Sequence, residues 1–158
     1  MIQTDLPRWI FASASKHFDT IATSSFPMFV EGQHRHTREE DEFFEFRFDG
    51  PILTELSKNY WRIYFEINIL IQTAMDDSDM HKIHRRVGTV AANFTLISIY
   101  KYGNQVGDDG SLFACIPLVQ DDRNRQRLQI LHFGQVSPDA KLVHACVEGH
   151  YQVDKEIT

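Results

Sequence analysis

The chain has 158 residues, 42% of them hydrophobic and 24% charged, with a formal net charge of −6 and two cysteines. A single domain of this length buries roughly 70% of its unfolded surface without disulfide staples, and the acidic balance argues against general nucleic-acid binding, which relies on Lys and Arg releasing counterions. Met1 to Arg8 has no basic segment followed by an apolar one, and no apolar run approaches the ~20 residues of a membrane span, so neither a signal peptide nor a membrane anchor is expected.

Arg8 to Ile21 reads as a helix, with Pro7 in its first turn. Phe26 to Gly32 reads as a short strand closed by glycine, and Pro27 near its start points to a strand end or an edge position. Gln33 to Asp41 is polar and split by charge: His34, Arg35, His36 and Arg38 precede Glu39, Glu40 and Asp41, as in an exposed loop. Phe44, Phe46 and Phe48 then alternate with Glu45, Arg47 and Asp49 in a second strand, and Asp49-Gly50-Pro51 reads as a turn.

The clearest signal is Tyr60 to Gln72, where Trp61, Ile63, Phe65, Ile67, Ile69 and Ile71 occupy every second position. A period of two puts these groups on one face of a single strand. At roughly 3.3 Å per residue that strand is on the order of 40 Å long, about twice the usual length. Such a strand suits a sheet that extends beyond one compact core, to meet another subunit or to line a passage. Antiparallel pairing with the preceding strand is expected, with Glu45 and Arg47 meeting Arg62 and Glu66 on the polar face.

Asp76-Asp77-Ser78-Asp79 is read as opening a second helix, whose stripe is Met80, Ile83, Val87, Val90, Ala91 and Phe94, with Lys82, Arg85 and Arg86 opposite. This stripe is expected to bury Trp61, Ile63, Phe65, Ile67 and Ile69. Four extended segments follow: Leu96 to Tyr102, Leu112 to Val119, Leu128 to Val136, and Leu142 to Val153. The order predicts one α+β domain over 1–158, a mostly antiparallel sheet with an N-terminal and a central helix packed on it. Cys115 and Cys146 lie on different predicted strands without a zinc spacing; free thiols are the expectation, with a disulfide left open.

Motifs for chemistry are few. His81 and His84 with Asp77 have the spacing of a helical metal pair, but HExxH is absent, and Asp76 to Asp79 lacks the glycine and distal glutamate of a calcium loop. His144, Cys146, Glu148 and His150 alternate onto one face of the last strand, with Val143, Ala145, Val147, Tyr151 and Val153 opposite. Same-face neighbours on a strand stand roughly 6.5–7 Å apart, so one ion holds at most two of them without help from another strand. The row is therefore read as a solvent or inter-subunit face. No nucleophile elbow or phosphate-cradling glycine pattern occurs. No catalytic residue, cofactor or metal ligand is assigned, and the chain is not expected to be an enzyme. A β-rich domain that binds a small ligand or a metal, or acts as an enzyme, is the alternative.

Several strings resemble the tail-terminator proteins of long-tailed bacteriophages, in the forms found in marine and other environmental phages. They are Arg8-Trp9-Ile10 through Lys16-His17-Phe18, Phe43-Phe44-Glu45-Phe46-Arg47-Phe48-Asp49-Gly50-Pro51, Tyr100-Lys101-Tyr102-Gly103 and Val147-Glu148-Gly149-His150-Tyr151. The order of elements is also similar to that family. The resemblance implies a virion structural protein without catalytic residues. It would form a six-fold ring between the tail tube protein and the head-completion (stopper) protein, assembled in the host cytoplasm, with DNA passing through the lumen unbound. Stopper and adaptor proteins of the neck are the rival identities.

For such a ring, the acidic Glu39, Glu40 and Asp41 and the basic Arg123, Arg125 and Arg127 are the candidate subunit-interface residues. Opposite charges there would set orientation and association rate more than affinity.

Overall fold

The structure, a computed structural model, describes residues 5–31, 42–76, 78–103, 109–119, 128–135 and 141–157. Its elements are α1 (Leu6–Asp19), β1 (Met28–Val30), β2 (Phe43–Ser57), β3 (Tyr60–Ala74), α2 (Lys82–Ala92), β4 (Ile97–Tyr100), β5 (Leu112–Ile116), β6 (Leu128–Gln135) and β7 (Leu142–Glu156). A five-stranded sheet has the order β1-β2-β3-β7-β6, with β1 parallel to β2 and the other pairs antiparallel; β4 and β5 form a separate two-stranded ribbon. This is the α+β arrangement with a mostly antiparallel sheet that the element order predicts.

Period-two patterning dictates the sheet's two faces. Ile63, Phe65, Ile67, Ile69 and Ile71 of β3 are all fully buried on the inner face. Phe44 and Phe46 of β2 and Ala145, Val147 and Tyr151 of β7 join them in the core. Trp61, nearer the end of the strand, is only partly buried. Helix α1 covers this face through Phe11, which meets Phe46 and Phe48 edge-on at 6.1 and 5.5 Å, and through Phe18 beside Phe46. Phe18 also meets Phe94, just beyond α2, at 4.7 Å, so the ends of the two helical segments share one aromatic cluster.

Two local expectations need correction. Asp49-Gly50-Pro51 is not a turn: β2 continues through it, and the chain reverses instead at Lys58-Asn59, where Asn59 adopts φ 64°. Asp49 faces Glu66 while Ile52 faces Tyr64, so β2 carries one extra residue there, a bulge that Gly50 permits with φ 115°. The bulge switches parity. Before it, odd-numbered residues of β2 face outward; after it, Ile52 and Thr54 do, which breaks the alternation that identifies a strand. The second correction follows from the first. Arg47 faces Asn68 rather than Glu66 and bonds Glu45 on its own strand at 2.7 Å, whereas Arg62 pairs with Asp154 of β7.

The central helix also starts later than its acidic residues suggest. Asp76 accepts hydrogen bonds from Ser78 N and Oγ, and Asp79 accepts one from His81 N, so these carboxylates shape a turn ahead of α2. Met80 therefore precedes the helix and is 77% exposed rather than buried, while Val87, Val90 and Phe94 do enter the core. Cys115 and Cys146 are free thiols. No helix among the described residues is long and apolar enough to cross a membrane.

Candidate functional site

The outer face of the sheet is where polar side chains converge. β3 and β7 pair along their whole length, Tyr60 opposite Glu156 to Ala74 opposite Leu142. Every outward position therefore faces another outward position: Arg62 opposite Asp154, Glu66 opposite His150, Asn68 opposite Glu148, Leu70 opposite Cys146, Gln72 opposite His144. Directly opposed side chains have Cβ atoms about 4.5–5.5 Å apart, close enough for short polar groups to bond. His144 Nε2 accordingly lies 2.8 Å from Gln72 Oε1, and the Cys146 thiol donates to Asn68 Oδ1 at 2.6 Å. Arg62 donates twice to Asp154, from Nε at 2.8 Å and from NH2 at 2.9 Å. That bidentate hydrogen bonding lowers the Asp154 pKa and raises that of Arg62.

His144, Cys146, Glu148 and His150 do share one face, but the row is not simply solvated. Cys146 is 3% exposed, and burial raises its thiol pKa; burial likewise lowers that of His144. The four do not act as one set: His144 and Cys146 bond amides of β3, whereas Glu148 and His150 join a different group.

That group centres on His150. Its Nε2 lies 3.2 Å from Glu148 Oε1, its Nδ1 lies 3.5 Å from Glu66 Oε1, and Nδ1 also bonds the Tyr64 hydroxyl. Tyr64 donates to Glu66 Oε1 at 2.7 Å. Burial, followed by this bond and by the charges of Glu66, Glu148 and Asp49, pushes the Tyr64 pKa up to about 12, so its proton stays in place at neutral pH. Glu66, Glu148 and His150 each offer one ligand atom within 4.8 Å of the others. All four residues stand on β3 and β7, two interior strands that pair along their whole length. Sequence reasoning found Glu148 and His150 but missed Glu66 and Tyr64, which come from a strand more than eighty residues away in the chain.

The predicted helical pair behaves as surface. His81 and His84 are exposed and their rings are 6.3 Å apart, His84 lies 4.8 Å from the exposed His132, and Asp77 is outside the described residues. Glu39, Glu40, Asp41, Arg123, Arg125 and Arg127 also lie outside the described residues.

The sheet's edges are the second feature of note. β1 covers only Phe44 to Phe46 of β2, and among the described residues no strand pairs with the rest of that edge or with the outer edge of β6. Ile52 and Leu56 on β2 are 59% and 44% exposed, and Ile130 and Leu131 on β6 are 45% and 36% exposed. Compared with protein-family models and with curated proteins, the chain matches none.

Proposed function

We propose that this chain is a structural protein of a bacteriophage neck or tail, a tail terminator that closes into a ring between the tail tube and the head-completion protein. The observation that carries the reading is the pair of dissimilar sheet edges. β6 on one side and the distal half of β2 on the other each present exposed apolar residues and a row of backbone groups that no other strand takes up among the described residues. An exposed strand edge with apolar side chains is a liability in a monomer. It suits a head-to-tail contact, in which one surface of each subunit meets a different surface of the next.

The length of the sheet supports the same reading. β2, β3 and β7 have 15 residues each, about 50 Å at 3.3 Å per residue, long enough for a strand edge to meet a neighbouring subunit along its length. The resemblance of the four quoted strings to tail terminators supplies the phage assignment within the class of ring-forming proteins. The net charge of −6 favours a lumen along which DNA passes without adhering. Sedimentation and negative-stain imaging of the purified chain, alone and with isolated tails, test the proposal. Closed rings or decorated tail ends support it, and a chain that stays monomeric and ignores tails overturns it.

A further inference from the structure

The polar cluster on the outer face has one contact more than it has hydrogens to fill. Three close approaches need a proton each: Tyr64 Oη to Glu66, Tyr64 Oη to His150 Nδ1, and His150 Nε2 to Glu148. Tyr64 has one proton and a neutral imidazole has one. When Tyr64 donates to Glu66 and Nδ1–H donates to Tyr64, the lone pair on Nε2 points at the Glu148 carboxylate from 3.2 Å. With the proton on Nδ1, a cation between these two lone pairs would satisfy both. In that tautomer Nε2 is free to ligate while Nδ1–H is donated to Tyr64, as a ligating histidine normally donates its other N–H to a partner that holds the ring.

We propose that Glu66, Glu148 and His150 form a binding site for one divalent transition-metal ion of the Zn2+ class, with Tyr64 orienting both His150 and Glu66. Four tetrahedral ligands with bonds near 2.05 Å stand about 3.3 Å from one another. The 3.2 Å between Nε2 and Glu148 meets that spacing, and one ligand atom from each of the three residues lies within 4.8 Å of the others. The strand spacing that prevents one strand from supplying three ligands is overcome by Glu66, the residue opposite His150 on β3. Two carboxylates and a neutral imidazole leave the site with two negative charges for a dication to neutralise. The nitrogen ligand favours Zn2+ over Mg2+, which prefers an all-oxygen shell. The fourth position opens outward, because the side chains of His150 and Glu66 are 41% and 34% exposed. An ion there would tie β3 to β7 across the middle of the sheet, whether or not the chain forms rings.

The test begins with full-length protein stripped by chelator, into which Zn2+ is titrated by calorimetry, with Mg2+ in parallel. About one Zn2+ per chain is expected, with little Mg2+ binding. The combined change Glu66→Gln and Glu148→Gln should abolish it, and Tyr64→Phe should weaken it by roughly 10–100-fold, as loss of an outer partner does. Co2+ bound to the unmodified chain provides a readout that does not depend on a variant folding. Its visible spectrum should report nitrogen and oxygen ligands, without the near-ultraviolet band of a thiolate. Absence of saturable Zn2+ binding would overturn the proposal. Undiminished binding in the double variant, or a thiolate band, would overturn it by locating the ion elsewhere.

Discussion

Gly149→Ala tests the packing of the inner face at its tightest point. Gly149 lies on β7 between Val147 and Tyr151, opposite Ile67, at an inward position where every neighbour carries a side chain. The space is filled by Phe94 instead: a methyl built on Gly149 would stand 2.6 and 2.8 Å from two carbons of that ring and 2.9 Å from Leu118 Cδ2. Separations this short force the ring to move, and Phe94 is itself held at 4.7 Å from Phe18. Overpacking of this kind costs about 1–3 kcal/mol. The smaller freedom of alanine in the unfolded chain offsets about 0.4–1 kcal/mol of that. A net loss centred on about 1.3 kcal/mol remains, which for a domain of this size lowers the melting temperature by roughly 3–5 °C. The cause is checked by a double-mutant cycle. In a Phe94→Ala background the ring is gone, so Gly149→Ala should be neutral or mildly stabilising there. Thermal melts of the four proteins decide the matter. A Gly149→Ala protein that melts at or above the parent temperature, or loses as much without Phe94 as with it, would refute the argument that the glycine exists to receive that ring.

Phe65→Ala should cost about 3–5 kcal/mol, because Phe65 is fully buried between Phe48 at 5.2 Å and Tyr151 at 5.3 Å; a melting temperature within a degree or two of the parent's would reject that packing. Asp76, Asp79, Asp109 and Asp154 all have lowered pKa values in the folded chain, from bonds with Ser78, Arg85, Ser111 and Arg62 respectively. Their contribution is complete above the ordinary aspartate range and is lost as pH falls through the folded values, so changing all four to Asn should flatten the acid limb of stability below about pH 4. Acid titrations in which parent and variant lose stability in parallel would sink that expectation. Arg123, Arg125 and Arg127 changed together to Glu should leave a folded chain that assembles poorly, and assembly of the parent should weaken with salt; equal ring formation by both proteins across the salt range would remove these residues from the interface.

The parts of the fold legible in the sequence are those governed by local periodicity. The apolar residues of β3 declare their face without any knowledge of a partner, and so do Phe44 and Phe46. What the sequence hides depends on contacts made after the chain has folded back. The bulge at Gly50 is invisible because a strand that changes parity looks like two strands joined by a turn, and aspartate, glycine and proline are turn residues. Met80 continues the helical stripe in sequence, yet the carboxylates that seem to cap its helix are engaged in a tighter turn just before it.

The His150 cluster is hidden for a deeper reason. A hydrophobic pattern of period two fixes which face a residue occupies but not which residue it meets, since sliding β7 by two positions past β3 leaves every apolar group inward. Polar groups and one inward glycine break that degeneracy. Sliding one way would set Glu66 against Glu148, two like charges directly opposed, and would separate Arg62 from Asp154. Sliding the other way would still offer Arg62 a carboxylate, Glu156, but would withdraw Gly149 from beneath Phe94 and drive a larger residue into the ring. Only the observed register keeps the bidentate pair, receives Phe94 and places Glu66 opposite His150. The charges of the outer face and the one inward glycine that receives Phe94 thus select together the alignment that hydrophobic periodicity leaves open. The residues proposed to bind a metal meet as a consequence of that selection, so the site can be found only once strands far apart in the chain have been paired.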